Sequence, residues 1–188
     1  MARILNYSGI KNYNNMKRSF LLPAIAVILL TTTVACAQDK KAPASPPATA
    51  SAKIAGGATI TINYSQPSVK GRTIGKDLEP MPGKVWRTGA NQATVFETDK
   101  AVKVEGQDLP AGKYGLFTIA DGDEWTIIFN KTWDQWGAFD YDAKKDALRV
   151  KVKSAKAPAF AEKFTINVDE SGKVSLLWGD TETDFMVM

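Results

Sequence analysis

Two polar-aromatic words hold the side chains best suited to chemistry. Trp86-Arg87-Thr88-Gly89-Ala90-Asn91 sets a planar guanidinium fork between a flat apolar wall and a two-way amide. That combination suits a carboxylate or a phosphate. Asn130-Lys131-Thr132-Trp133-Asp134-Gln135-Trp136-Gly137 puts two tryptophans in one loop. Exposed, they would form a stacking platform for sugar rings, with Asp134 and Gln135 hydrogen-bonding the hydroxyls. The candidate ligand-binding residues are therefore Trp86, Arg87, Asn91, Trp133, Gln135 and Trp136. Both words also have an architectural reading. Trp86 could plug the core, Arg87 could be an internal strut paired with Glu97, and Gly89 could be a turn needing positive φ. Packed down, Trp136 would cap the end of a sandwich.

Carboxylates supply a third possibility. Asp134, Asp140, Asp142 and Asp146 cluster in sequence, and a glycosidase needs only two carboxylates facing one bond. Spacing alone does not make them face each other. Asp140-x-Asp142 with Asp146 superficially resembles a calcium loop, yet the turn glycine is missing and Lys144 and Lys145 intrude. Solvated loop charge is the simpler account, so no metal ligand, cofactor or catalytic residue is assigned.

Two absences narrow the chemistry further. The chain has no histidine, and its single cysteine is Cys36. Serine-histidine-acid triads, cysteine-histidine pairs and histidine or thiolate zinc sites cannot be built from this chain. Intrachain disulfides are excluded as well. The formal charge of +4 resides in the first segment: Arg3, Lys11, Lys17 and Arg18 are the only charges before Gln38. Removing those four from the 24 basic residues leaves 20 against 20 acidic ones. A body near neutrality has no bulk field to hold nucleic acid or an anionic membrane.

The segment before the body has the shape of an export signal. Met16-Lys17-Arg18 gives a basic start and Phe20 to Leu30 an apolar core too short to span a bilayer comfortably. Residues 16–37 are thus read as a signal peptide, and 1–15 as an upstream over-call of the start. Ala35-Cys36-Ala37 fits small-x-small cleavage, which would release a soluble protein beginning at Gln38. Val34-Ala35-Cys36 also fits a lipobox that lipidates Cys36, although Thr33 stands where leucine is usual. Either way the chain is expected to be extracytoplasmic, touching a membrane only through a lipid on Cys36. Residues 38–57, rich in alanine, proline, serine and lysine, read as a flexible linker.

The elements that must position these side chains are strands. Ile60, Ile62 and Tyr64 alternate with Thr59, Thr61 and Asn63, the period-two signature of a half-buried strand. Val102 and Val104 repeat it, as do Leu148, Val150 and Val152, and then Phe164, Ile166 and Val168. Asp121-Gly122 predicts a hairpin between Lys113–Ala120 and Asp123–Asn130. Asp169 to Gly172 predicts a turn before Val174–Trp178, and Phe185 and Val187 a last strand. Tyr141–Ala147 is the one tempting helical piece, with a further turn over Ala157–Lys163. Short strands without alternating helices predict an all-β fold over 58–188: a single antiparallel β-sandwich, jelly-roll-like or Ig-like. Leu109-Pro110-Ala111-Gly112-x-Tyr114 fits a turn into a strand whose tyrosine plugs the sandwich end. The faces of Gln92–Thr98 and Lys113–Ala120 stay ambiguous, because both carry apolar residues.

These words together resemble domain-of-unknown-function family 2911. The resemblance rests on Pro67–Gly71, Gly83-Lys84-Val85-Trp86-Arg87-Thr88-Gly89-Ala90-Asn91, Ala111-Gly112-Lys113-Tyr114-Gly115-Leu116-Phe117, Trp125–Asn130 and Gln135-Trp136-Gly137-Ala138. It covers roughly Ile60 to Val187 and implies an exported bacterial protein with one compact domain. It implies no reaction, substrate or catalytic residue. The function expected is a non-catalytic extracytoplasmic domain that binds a small polar ligand, a glycan or an envelope protein. The alternatives are a carboxylate-dependent glycan hydrolase and a structural or assembly module of the envelope.

Overall fold

The period-two segments become strands in the computed structural model, which describes residues 43–188. In chain order they are β1 (Pro47–Lys53), β2 (Thr59–Ser65), β3 (Val85–Trp86), β4 (Thr94–Thr98), β5 (Val102–Val104), β6 (Gln107–Leu109), β7 (Gly112–Asp121), β8 (Glu124–Asn130), β9 (Asp146–Val168) and β10 (Lys173–Met186). The main sheet runs β1-β2-β4-β7-β8-β9-β10, with β3 also on β7, while β5 and β6 form a separate ribbon. All pairings between these strands are antiparallel. The all-β, sandwich-like fold is as expected. Its strand order, which the sequence leaves open, is a meander.

The sheet curls over on itself. The first part of β9 pairs with β8 and the rest pairs with β10. The far part of β9 then returns to the segment after β2: Phe164 N donates to Pro67 O at 2.9 Å and Val69 N to Glu162 O at 2.9 Å. Tyr64 of β2 ties the same seam, its hydroxyl accepting from Ile166 N at 3.0 Å. Inside the curl lie Ile60, Ile62, Trp86, Phe96, Leu116, Ile127, Phe129, Phe164 and Phe185, all buried. Phe164 sits among three rings, 4.9 Å from Trp86, 5.8 Å from Tyr64 and 6.0 Å from Trp178, each meeting it edge-on.

The ambiguous faces have a simple explanation. Leu116 of β7 and Ile127 and Phe129 of β8 point into the main core, whereas Phe117 and Ile128 point the other way. On that outer face they pack with Ala93, Val85, Ile119, Ala138 and Tyr141. The β8–β9 connection lies over the outer face as a flap, with the Phe117 and Tyr141 rings 5.0 Å apart. Tyr114 plugs the end as expected: it is buried and its hydroxyl donates to Pro110 O at 2.9 Å.

Several expectations need correction. Pro47–Lys53, inside the stretch expected to be linker, is strand β1 in register with β2, so the sheet begins before residue 58. Alternating small side chains suffice there because β1 is an edge strand half-covered by the core. Tyr141–Ala147 contributes only a 3-10 turn at Ala143–Lys145, since β9 already starts at Asp146. Ala157–Lys163 is extended within β9, held by its partners on β10 and beyond β2. The hairpin turn falls one residue later than expected, at Gly122-Asp123, with Asp121 paired to Glu124. Phe185 is not in a separate last strand but belongs to β10. That strand stays continuous by bulging around Gly179, whose φ of 62° and whose closeness to Ile74 favour glycine. The leader over 16–37, Cys36 and residues 1–15 lie outside the described residues.

The ring cluster at the seam predicts where stability is concentrated. Phe164→Ala and Trp86→Ala should each lower unfolding free energy by about 3–5 kcal/mol. Phe160→Ala, on an exposed position of the same strand, should cost under about 1 kcal/mol. Urea melts of the three variants check this, and equal losses at Phe160 and Phe164 would refute it.

Candidate functional site

The two polar-aromatic words meet in space. Strands β3 and β4 both lie along β7, β3 on its second half and β4 on its first. The chain between them therefore has to loop off the sheet. Thr94 fixes both ends of the excursion: its N donates to Arg87 O at 3.1 Å and its hydroxyl to Thr88 O at 2.6 Å. Thr88 and Asn91 adopt left-handed backbone, with φ of 55° and 60°. Gly89 must be glycine, because a Cβ there would stand 2.9 Å from Ser65 O. Trp86 closes the turn by donating from its indole N–H to Gly89 O at 3.0 Å.

The flap over residues 131–142 is fastened to this excursion through the backbone. Ala93 N donates to Gln135 O at 3.0 Å, Gly137 N donates to Asn91 O at 3.1 Å, and Gln92 and Trp136 form a β-bridge. Asn130, fully buried, anchors the flap root by donating to Asp142 O at 3.0 Å and Asp146 Oδ1 at 2.7 Å. Its own amide oxygen accepts from Thr132 N at 2.9 Å.

Against this geometry the six candidates divide. Trp86 is 1% exposed and is core, so it can offer a ligand little beyond the floor of a cleft. Asn91 spends its amide on Ser45 O and Ser65 Oγ, both at 3.3 Å, and holds the excursion to the sheet edge. Gln135 is buried and donates to Thr132 O at 2.7 Å, shaping the flap from within. Trp133 is partly exposed, with the Lys113 ammonium 5.4 Å from its ring centroid. Trp136 is 58% exposed despite its bridged backbone. Phe139, which the sequence reading passed over, is 86% exposed on the same flap. The signal for it was present: a large apolar residue between Asp134 and Asp140 with no alternating partner.

Arg87 remains, and it is not the expected strut. Glu97 pairs instead with Lys113 across β4 and β7, at 3.4 Å. The Arg87 Nε is buried without a hydrogen-bond partner, and the guanidinium has no ion pair among the described residues. Alternation along β3 explains its direction: Val85 lies on the outer face, Trp86 in the core, and Arg87 on the outer side again. There it borders a cleft of about 220 Å³ with Glu79, Val85, Trp86, Ala138 and Phe139. Burial lowers the Arg87 pKa from its ordinary value, and the Glu79 charge raises it in part. Glu79 is itself fixed, its Oε2 accepting from Met81 N at 2.7 Å and its carbonyl from the Trp178 indole at 2.8 Å.

None of the four clustered acids borders the cleft at Arg87. Asp134, Asp140 and Asp142 are exposed, and Asp142 caps the 3-10 turn by accepting from Lys144 N at 2.9 Å. Asp146 is occupied: Oδ2 accepts from the Tyr141 hydroxyl at 2.7 Å and from Arg149 Nε at 2.6 Å. Among the described residues no three histidine, cysteine or acidic side chains converge as a cation site would need. Burial, with the hydrogen bond to Asp146 behind it, pushes the Tyr141 phenol up to about 12.

Two predictions follow from these contacts. Arg87→Met should leave the melting temperature unchanged or raise it, because a desolvated guanidinium without a partner destabilises the free protein. A loss of several kcal/mol in a urea melt would instead mark Arg87 as a strut. Tyr141 favours its neutral form when folded. Its contribution is therefore complete below the unfolded value near 10 and lost as pH rises through about 12. Titration of phenolate absorbance should find a tyrosine ionising last, and Tyr141→Phe should delete that step.

A family model described as a protein of unknown function (DUF2911) matches residues 45–187, from just before β1 to just past β10. Comparisons with curated proteins and with solved structures find no match. The start of the match agrees with the position of β1 in the sheet. The chain belongs to the DUF2911 family.

Proposed function

We propose that this is a non-catalytic extracytoplasmic binding domain that takes a glycan on the flap over residues 131–142. The observation that carries the reading is the pair Trp136 and Phe139. Two large aromatic side chains stand in solvent on a short segment whose backbone is tied down on both sides. Solvent-facing aromatics on a loose loop would be unremarkable. Here the hydrogen bonds to Asn91 and Ala93 hold the flap in place while the rings are left uncovered. Flat rings on a preorganised support suit the apolar faces of sugars, and rigidity reduces the entropy lost on binding. The cleft at Arg87 opens beside Phe139 and supplies polar groups next to the stacking surface.

Export through the segment at 16–37, with or without a lipid on Cys36, would put the domain where glycans of the envelope or its surroundings are found. The acids on the flap are exposed and none borders the Arg87 cleft, which favours binding over hydrolysis. The experiment is a glycan array followed by calorimetry with Trp136→Ala and Phe139→Ala. Each variant should weaken binding at least ten-fold while moving the melting temperature by no more than a degree or two. Binding unaffected in both would sink the reading, as would collapse of the fold in both.

A further inference from the structure

The cleft beside the flap has a charge arrangement that specifies more than a sugar. We infer that the Arg87–Glu79 cleft selects an acidic sugar, its carboxylate on Arg87 and a neighbouring hydroxyl on Glu79. The inference rests on the glycan reading of the flap and narrows it to a ligand class.

The guanidinium is the starting point. Three arginines lie among the described residues, and two are engaged. Arg72 donates to Ser68 O at 2.7 Å and Val69 O at 3.2 Å. Arg149 donates to Asp146 at 2.6 Å and to the Tyr141 hydroxyl at 2.6 Å. Arg87 makes no side-chain hydrogen bond, and its Nε is buried with an unused donor. That Nε is out of an occupant's reach, but the two terminal nitrogens are unpaired and not fully buried, and their edge matches a carboxylate, which can accept two parallel N–H bonds. Its stem is also held close to the flap: a Cβ on Gly137 would lie 3.1 Å from the Phe139 ring and 4.0 Å from Arg87 Cδ. The fork, the ring and the flap backbone therefore form one surface.

Glu79 sets the second requirement. It borders the same cleft but forms no ion pair with Arg87 within 4.0 Å. Its Oε2 is committed to Met81 N, while Oε1 has no hydrogen bond among the described residues. An occupant must offer an acid to one wall and a donor to the other. A hydroxy acid does so, and a phosphate is disfavoured because its second charge would face the Glu79 carboxylate. Size agrees. A cleft of about 220 Å³ is smaller than the roughly 300–1,000 Å³ that holds drug-sized ligands, so it fits one ring end and no more. The rest of a glycan would run out over Phe139 and Trp136.

The test is calorimetry on the full chain at neutral pH with D-galacturonate, D-galactose and glutarate, repeated on Arg87→Gln. Galacturonate should bind at least ten-fold more tightly than galactose. Arg87→Gln should abolish that advantage, so that galacturonate and galactose bind the variant with equal affinity. Equal affinities for the uronate and the neutral sugar would overturn the inference while leaving the flap as a glycan surface. So would an advantage that survives Arg87→Gln. Glutarate binding as tightly as galacturonate, lost in Arg87→Gln, would keep the carboxylate site and remove the sugar. Failure of all three ligands would overturn the inference, and silence on the glycan array would then take the parent reading with it.

Discussion

Closure of the curled sheet depends on one packing event, the insertion of Phe164 among Tyr64, Trp86 and Trp178. Those rings come from β2, β3 and β10, while Phe164 comes from the far end of β9. An antiparallel meander keeps its neighbours in order through local hydrogen bonds, but nothing local makes its ends meet. The ring cluster supplies that long-range term, and the Tyr64 hydroxyl bound to Ile166 N fixes its register. Edge-on geometry adds to area burial here, since each ring edge faces another ring's electron-rich face. Trp86 is therefore committed to the core before any ligand is considered.

That commitment places the residue after it. A strand that turns Trp86 inward turns Arg87 outward, onto a face that would normally be solvated. In this protein the outer face is not simply solvated, because Phe117 and Ile128 make it apolar and the flap covers it. Arg87 thus reaches a partly dry position at the edge of a cover. Its lack of a partner follows from the register of β4 with β7, which gives Lys113 to Glu97 and leaves Arg87 to the cleft. The site and the core are two faces of one dipeptide.

Much of the fold is legible in the sequence because burial writes itself as alternation. Ile60, Ile62 and Tyr64, or Phe164 and Ile166, can be assigned a face without coordinates. Alternation fails where both faces are covered, as at Leu116-Phe117 and Ile127-Ile128, since a flap from elsewhere in the chain supplies the second cover. It fails also at β1, whose alanines and serines carry no hydrophobic signal yet pair along the whole of β2. Edge pairing rests on the backbone, which composition does not display. Among the candidate residues, side-chain type alone could not separate Trp86 from Trp136: identical indoles, one holding the core and one standing in water. Phe139 lies in a loop with no alternation to assign its face, so only its size beside polar neighbours marks it.

The free Arg87 donor and the bare flap rings bear on each other as a matter of energy. A desolvated guanidinium nitrogen without a partner weakens the free protein, on the order of 1 kcal/mol, and the uncovered aromatic pair keeps apolar area that a ligand can still bury. Arg87 Nε is one of four buried side-chain atoms without a hydrogen-bond partner among the described residues, with Gln135 Oε1, Thr183 Oγ1 and Asp184 Oδ1, and it is the one that belongs to a cation bordering a cleft. The same occupant would use both, with an acid on the terminal nitrogens of the fork and an apolar sugar face on the rings. A neutral apolar partner would cover Phe139 but bury Arg87 further without pairing it. The arrangement therefore argues for a ligand that is flat on one side and anionic at one end.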